Sequence, residues 1–249
     1  NRVEQEVTRK ELIMDLLTIT QAMFMLGFVA MAAGTFYFVL ERGELKGEGR
    51  TSATYAALIT FIAAILYFQM KDIVAFPFPG DVSLIANTMP VRYLDWVLTT
   101  PLLLIEFGLI ASLAGAEKGL TYRLVLADIV MIVTGYFGEV GAAGSIGNYV
   151  NFVISSAAWV YIAYTVWQLK PTKGTAAVKA AISNMKKFVI FGWMVYPIGT
   201  AIQEILELNN PDAETVKLAV CSAAIIYVVA DVVNKVGFGI FALKAFKKD

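Results

Sequence analysis

The sequence predicts an all-α membrane protein, a bundle of seven transmembrane helices, on three observations. Of the 249 residues, 58% are hydrophobic and only 16% are charged. The mean hydropathy of +0.68 lies far above that of a soluble domain, so lipid is the expected solvent. Seven separate apolar windows reach or approach the roughly 20 residues that a spanning helix takes, and polar or breaker-rich stretches separate them. One bundle over residues 1–249 fits this length better than two soluble domains.

The first window, Leu16–Leu40, follows Asn1–Asp15, a polar and charged stretch and not a basic region followed by an apolar core. Gly43–Arg50 connects it to the second window, Thr51–Met70, and the long Lys71–Pro90 segment follows with Pro77, Pro79 and Gly80 as breakers. The third window is Val91–Ala116 and the fourth is Leu124–Val140, with a turn at Gly115–Gly119. Tyr149–Leu169 is the fifth. The Lys170–Gly174 run leads to the sixth, Phe188–Leu206, and Asn209–Glu214 around Pro211 leads to the seventh, Leu218–Leu243. With the N-terminus outside, thirteen lysines and arginines fall on the inner side and five on the outer. The positive-inside rule therefore puts the N-terminus outside and the C-terminus in the cytoplasm.

Lysine plus arginine equal aspartate plus glutamate at twenty each, so no global charge argues for a nucleic-acid partner. Cys221 is the single cysteine and histidine is absent. Disulfide frameworks, the usual Cys/His metal sites and histidine-based catalysis are thereby excluded. Proton chemistry in this chain must run on carboxyls, lysine, arginine and tyrosine.

Several charges stand inside the windows, where each costs at least ~2.5–3.5 kcal/mol on insertion scales and usually serves a function. Arg92, Asp95 and Glu106 lie in the third window, and Asp231 and Lys235 in the seventh. Asp95 and Thr99 are four residues apart, and Glu106 lies about three turns, roughly 16 Å, further along one face. Asp231 precedes Lys235 by four, which puts it level with Asp95 if the two helices meet there. Two acids and an arginine then lie outside the lysine, and one acid lies inside it. A buried ion-pair network serving only packing would not leave Glu106 without a basic partner. Arg92 stands near enough to the outer interface to snorkel. Asp128 and Glu139, near opposite ends of the fourth window, read as interfacial.

The stretches RYLDWVLTTPLLLIEF (Arg92–Phe107) and ADVVNKVGFG (Ala230–Gly239) resemble the microbial rhodopsins, and among them the bacterial proteorhodopsin group most closely. FGWMVYP (Phe191–Pro197) and AAWVYIAY (Ala157–Tyr164) resemble that group's sixth and fifth helices. The resemblance implies a light-driven outward proton pump, not an enzyme, in the bacterial inner membrane. It implies all-trans retinal as a Schiff base on Lys235, with Asp95 and Asp231 as counterions and Arg92 balancing the second carboxylate. Asp95 is then the primary proton acceptor, Thr99 its hydrogen-bonding neighbour and Glu106 the cytoplasmic donor. Trp96, Thr100, Leu103, Trp193, Tyr196 and Pro197 are implied to line the retinal pocket, and leucine at 103 implies green absorption. The lipid bilayer, protons and further copies of the chain are the implied partners.

Three departures stand out. The group usually has a histidine on the second helix beside the acceptor, and here Leu66 occupies that place. Ala223 stands where archaeal relatives carry a carboxyl for proton release. Phe152 stands where carotenoid-carrying members have glycine, so a carotenoid antenna is not expected. Sodium pumps and chloride pumps of the family differ at the positions of Asp95, Thr99 and Glu106. The runner-up is a sensory photoreceptor signalling to a membrane partner, from which Glu106 is the discriminating residue.

Overall fold

The structure, a computed structural model, describes residues 2–75, 83–142, 144–209 and 212–247. Pro77, Pro79, Gly80 and Pro211, read as breakers, lie outside the described residues. Seven helical spans are long and apolar enough to cross a bilayer: Leu16–Glu44, Gly47–Val74, Ser83–Leu113, Leu120–Glu139, Ile146–Gln168, Ala176–Leu206 and Ala213–Leu243. The described residues contain no strand. Consecutive spans pack side by side and the first packs on the seventh, which closes the ring.

The helices outrun the apolar windows, because hydropathy marks only the part of a helix that sits in hydrocarbon. The first continues back to Arg2, and the sixth begins at Ala176, twelve residues before its window. Gly43–Arg50, read as a connection, is nearly all helix; the first helix ends at Glu44 and the second starts at Gly47, whose φ of 53° makes the reversal. Within Lys71–Pro90, Ser83–Ala86 forms a short helix. Local signals set the other starts. The third main helix begins at Met89 with Pro90 in its first turn, where no N–H partner is lost. Ser145 accepts from Asn148 N, Thr175 from Val178 N, and Asp212 from Glu214 N and Thr215 N, capping the fifth, sixth and seventh spans.

The bundle has the apolar surface and polar interior that lipid demands. Phe36, Leu40, Ile146 and Trp167 face outward, while Asp95, Glu106, Asp128, Asp231 and Lys235 are buried. The first, second and seventh spans meet at Gly239, where an added Cβ would stand 2.6 Å from Phe38 Cζ and 3.0 Å from Ala56 Cβ. Close approach of helices through small residues replaces the hydrophobic drive that lipid does not supply. Gly239→Val should overpack this crossing at a cost of about 1–3 kcal/mol, seen as a lower thermal unfolding midpoint in detergent. Gly43→Ala, which meets nothing within 4 Å, should leave the midpoint unchanged.

Candidate functional site

Lys235 sits in a π turn, Val233–Gly237, in the middle of the seventh span. Such a turn departs from the regular ladder and is common where a side chain must be re-aimed. The lysine is 2% exposed, and its Nζ lies 2.5 Å from Asp95 Oδ2 and 3.4 Å from Asp231 Oδ2. The structure thus brings together the lysine and the two carboxylates that the sequence set on different helices. Thr99, one turn along from Asp95, donates to the Asp95 backbone carbonyl at 2.8 Å and lies 3.4 Å from its Oδ1.

Asp231 is held from three further sides. Tyr67 Oη donates to it at 2.8 Å, Tyr196 Oη at 2.6 Å and Trp96 Nε1 at 3.2 Å. Charge-assisted bonds of this kind are the strong ones. Tyr67 escaped the sequence reading, because a tyrosine in an apolar window looks like any other core aromatic. It supplies the polar contact to Asp231 from the second span.

Arg92 differs from expectation. It is 7% exposed and so does not reach out like an interfacial arginine. Its guanidinium lies over the Tyr227 ring, 5.0 Å from the centroid, and its Nη2 donates to Thr88 Oγ1 at 3.3 Å. Among the described residues no carboxylate is within ion-pair distance of it, so the expected pairing with Asp231 is not made directly. A π face and a hydroxyl satisfy the cation, and the three donors on Asp231 take the place that Arg92 was to fill.

Glu106 is fully buried on the far side of the third span from Arg92, and its Oε1 accepts from Ser52 Oγ at 2.6 Å. No described cation pairs with it. Ser52 was not read from the sequence, since a serine at a helix end carries no signal of its partner.

The interfacial reading of Asp128 is overturned. Asp128 is fully buried and accepts from Thr100 Oγ1 at 2.8 Å. The helix begins at Leu120, before its apolar window, so Asp128 stands more than two turns inside the span. Glu139, the last residue of the fourth span, is half-buried, accepts from Tyr93 Oη at 2.7 Å and lines the central cavity.

That cavity has a volume of about 360 Å³, and Lys235 and Asp231 are among the residues that line it. Trp96, Thr100, Leu103, Trp193, Tyr196 and Pro197, the six residues expected to wall it, all line it, and Phe152 adds a further ring. Trp96 and Tyr196 meet edge to face with centroids 4.8 Å apart. An apolar, aromatic cavity with an amine in its wall suits a hydrocarbon that carries one reactive carbonyl.

A seven-helix membrane bundle with this buried lysine, its carboxylate pair and its aromatic cavity is a rhodopsin of the microbial type. The chain belongs to the bacteriorhodopsin-like protein family, whose sequence model matches residues 18–248. It is 34% identical over 226 residues to the green-light absorbing proteorhodopsin of Gamma-proteobacterium EBAC31A08, covering 89% of this chain and 84% of that one. The crystal structure of Exiguobacterium sibiricum rhodopsin superposes with a TM-score of 0.78 at 40% identity, covering 93% of this chain and 96% of the other. Sensory rhodopsin-2 of Natronomonas pharaonis is 29% identical over 227 residues, 90% of this chain and 87% of that one.

Tyr67→Phe keeps the ring and removes one donor from Asp231. A hydrogen bond to a charged group is worth about 1.5–3 kcal/mol, so the variant should unfold at a lower temperature by a matching margin. An unchanged midpoint would mean that Tyr67 contributes packing alone.

Proposed function

We propose that this chain is a light-driven outward proton pump that carries all-trans retinal as a Schiff base on Lys235. The observation that carries the proposal is an asymmetry along the third span. Asp95 lies 2.5 Å from the Lys235 nitrogen, whereas Glu106 is buried about three turns away with a serine as its partner.

The cavity fits the chromophore in three respects: its walls are aromatic, an amine lines it, and a carboxylate pair beside that amine can hold a cation. Retinal held at Lys235 would supply a polyene able to absorb visible light and to isomerise. The protein's residues do the rest. Asp95 is the near acceptor for the proton on the Lys235 nitrogen, and Thr99 beside it can follow the change in its charge. Asp231, tied by Tyr67, Tyr196 and Trp96, stays in place as the standing anion. Glu106, buried with a serine as its partner, can give a proton to the Lys235 nitrogen from the other side and refill from water beyond. Two carboxyls in unlike environments on one helix divide acceptor and donor between them. Each charge moved against the potential costs ~2.3 kcal/mol per 100 mV, so acceptor and donor must not exchange protons in the dark.

The positive-inside bias supports an outer Arg92 end and an inner Glu106 end. The kinship with bacterial proteorhodopsins supports a bacterial inner membrane. Assembly into a homo-oligomer and function without a carotenoid antenna complete the reading. The similarity to a sensory rhodopsin favours a photoreceptor as the second reading. The Glu106–Ser52 pair argues against it, because a sensor needs no buried proton donor.

Illuminating retinal-supplied cells in unbuffered medium should acidify the medium, and a protonophore should abolish the change; no change, or alkalinisation, would end the pump reading. Purified protein with retinal should be green-absorbing, whereas Lys235→Ala should be colourless. Glu106→Gln should still bleach on a flash but recover at least ~10-fold more slowly, the scale of a lost general acid. Its recovery should slow further as pH rises, because protons then come from bulk water. Recovery like the parent's at every pH would show that Glu106 is not the donor.

A further inference from the structure

Among the described residues the bundle contains two π turns, and they pack against one another. Phe188–Gly192 of the sixth span packs against Val233–Gly237 of the seventh. One side chain joins them. Asn234, 3% exposed, donates from Nδ2 to the Gly192 carbonyl at 3.0 Å and lies 3.4 Å from the Tyr196 hydroxyl. Tyr196 in turn donates to Asp231 at 2.6 Å, and Asn234 is the chain neighbour of Lys235. The approach is tight: a Cβ at Gly192 would stand 1.9 Å from Asn234 Oδ1. Glycine at 192 is therefore what lets the sixth span come close enough for the bond.

The joint sits at the edge of a plug. Phe188 and Val189, in the sixth span's π turn, pack with Leu103, Leu104, Phe107 and Phe238, the apolar packing of the Glu106 half of the bundle. Phe188 and Phe238 meet edge to face across the two spans, with centroids 6.2 Å apart. Within the π turn the Phe188 carbonyl takes the Trp193 N–H five residues on, at 3.1 Å. A helix is least constrained where its regular ladder is interrupted.

We propose that Asn234 is a positioning residue, a latch that ties the sixth span's π turn to the Lys235 turn and keeps the Glu106-side plug closed until the lysine nitrogen has lost its proton. The proposal rests on the pump reading above. When that proton passes to Asp95, Asp231 no longer faces a cation, and the bonds from Tyr196 to Asp231 and from Asn234 to Tyr196 rearrange. Asn234 is then drawn off the Gly192 carbonyl. The sixth span is released at its π turn, and the plug loosens after deprotonation, not before it.

The test uses the full chain in lipid vesicles, with the variants Asn234→Ala and Gly192→Ala. After a flash, Asn234→Ala should lose the Lys235 proton at the parent's rate but recover roughly five-fold faster, the factor equivalent to one neutral hydrogen bond of about 1 kcal/mol. Gly192→Ala, whose methyl displaces the amide, should give the same acceleration. The double variant should be no faster than either single one, because both break one bond. Additive effects, or parental recovery in both, would overturn the latch.

A second measurement needs neither light nor retinal. In the retinal-free chain, amide hydrogen exchange over residues 189–197 should be about five-fold faster in each single variant, with the first and second spans unchanged. Parental exchange over that segment would overturn the latch even in a protein that pumps. A parent that does not acidify its medium defeats the pump reading instead, and the exchange result still decides whether the latch exists.

Discussion

The burial of one amine is the constraint on which the rest of the bundle depends. Lys235 lies in the middle of a hydrocarbon-spanning helix with 2% of its surface exposed, and a cation there is untenable without anions at contact distance. Asp95 and Asp231 supply them, at 2.5 and 3.4 Å. Two carboxylates against one amine leave an excess of negative charge, which the donors on Asp231 from the second, third and sixth spans distribute. Four of the seven spans are thereby fixed around one atom.

The same logic explains the polar residues that lie away from the lysine. Glu106, Asp128 and Arg92 are each buried, and each has a neutral partner: Ser52, Thr100 and the Tyr227 ring with Thr88. A hydroxyl beside a carboxyl satisfies a lone pair without fixing a charge. Asp95 has a cation at contact and Glu106 has none. That difference between two acids on one helix is what a directional proton path requires.

Legibility in the sequence followed cost. Lys235, Asp95, Asp231 and Glu106 stood out because a charge in an apolar window is expensive and calls for a reason. Tyr67, Ser52 and Asn234 did not, since tyrosine, serine and asparagine occur in membrane helices for ordinary packing and their partners lie 164, 54 and 42 residues away. Asp128 departs from its interfacial reading, because the helix begins at Leu120, before its apolar window, and puts Asp128 more than two turns inside the span. The helix lengths were underestimated for a related reason, as the ladder of backbone hydrogen bonds continues past the point where the side chains turn polar.

By itself the sequence determined the solvent, the number of spans, the expected orientation and the four charged residues that any account must explain, because these follow from hydropathy and the cost of intramembrane charge. Its spacing also put Asp95, Thr99 and Glu106 on one helix face and Asp231 one turn from Lys235. Only the tertiary structure decided which groups meet. It gave Asp231 its three donors, set Arg92 over a ring and not against a carboxylate, buried Asp128 on Thr100, and brought Asn234 onto Gly192. Those pairings depend on how the helices rotate and how closely they approach, and both are set by packing between residues far apart in the chain, where no local pattern records them.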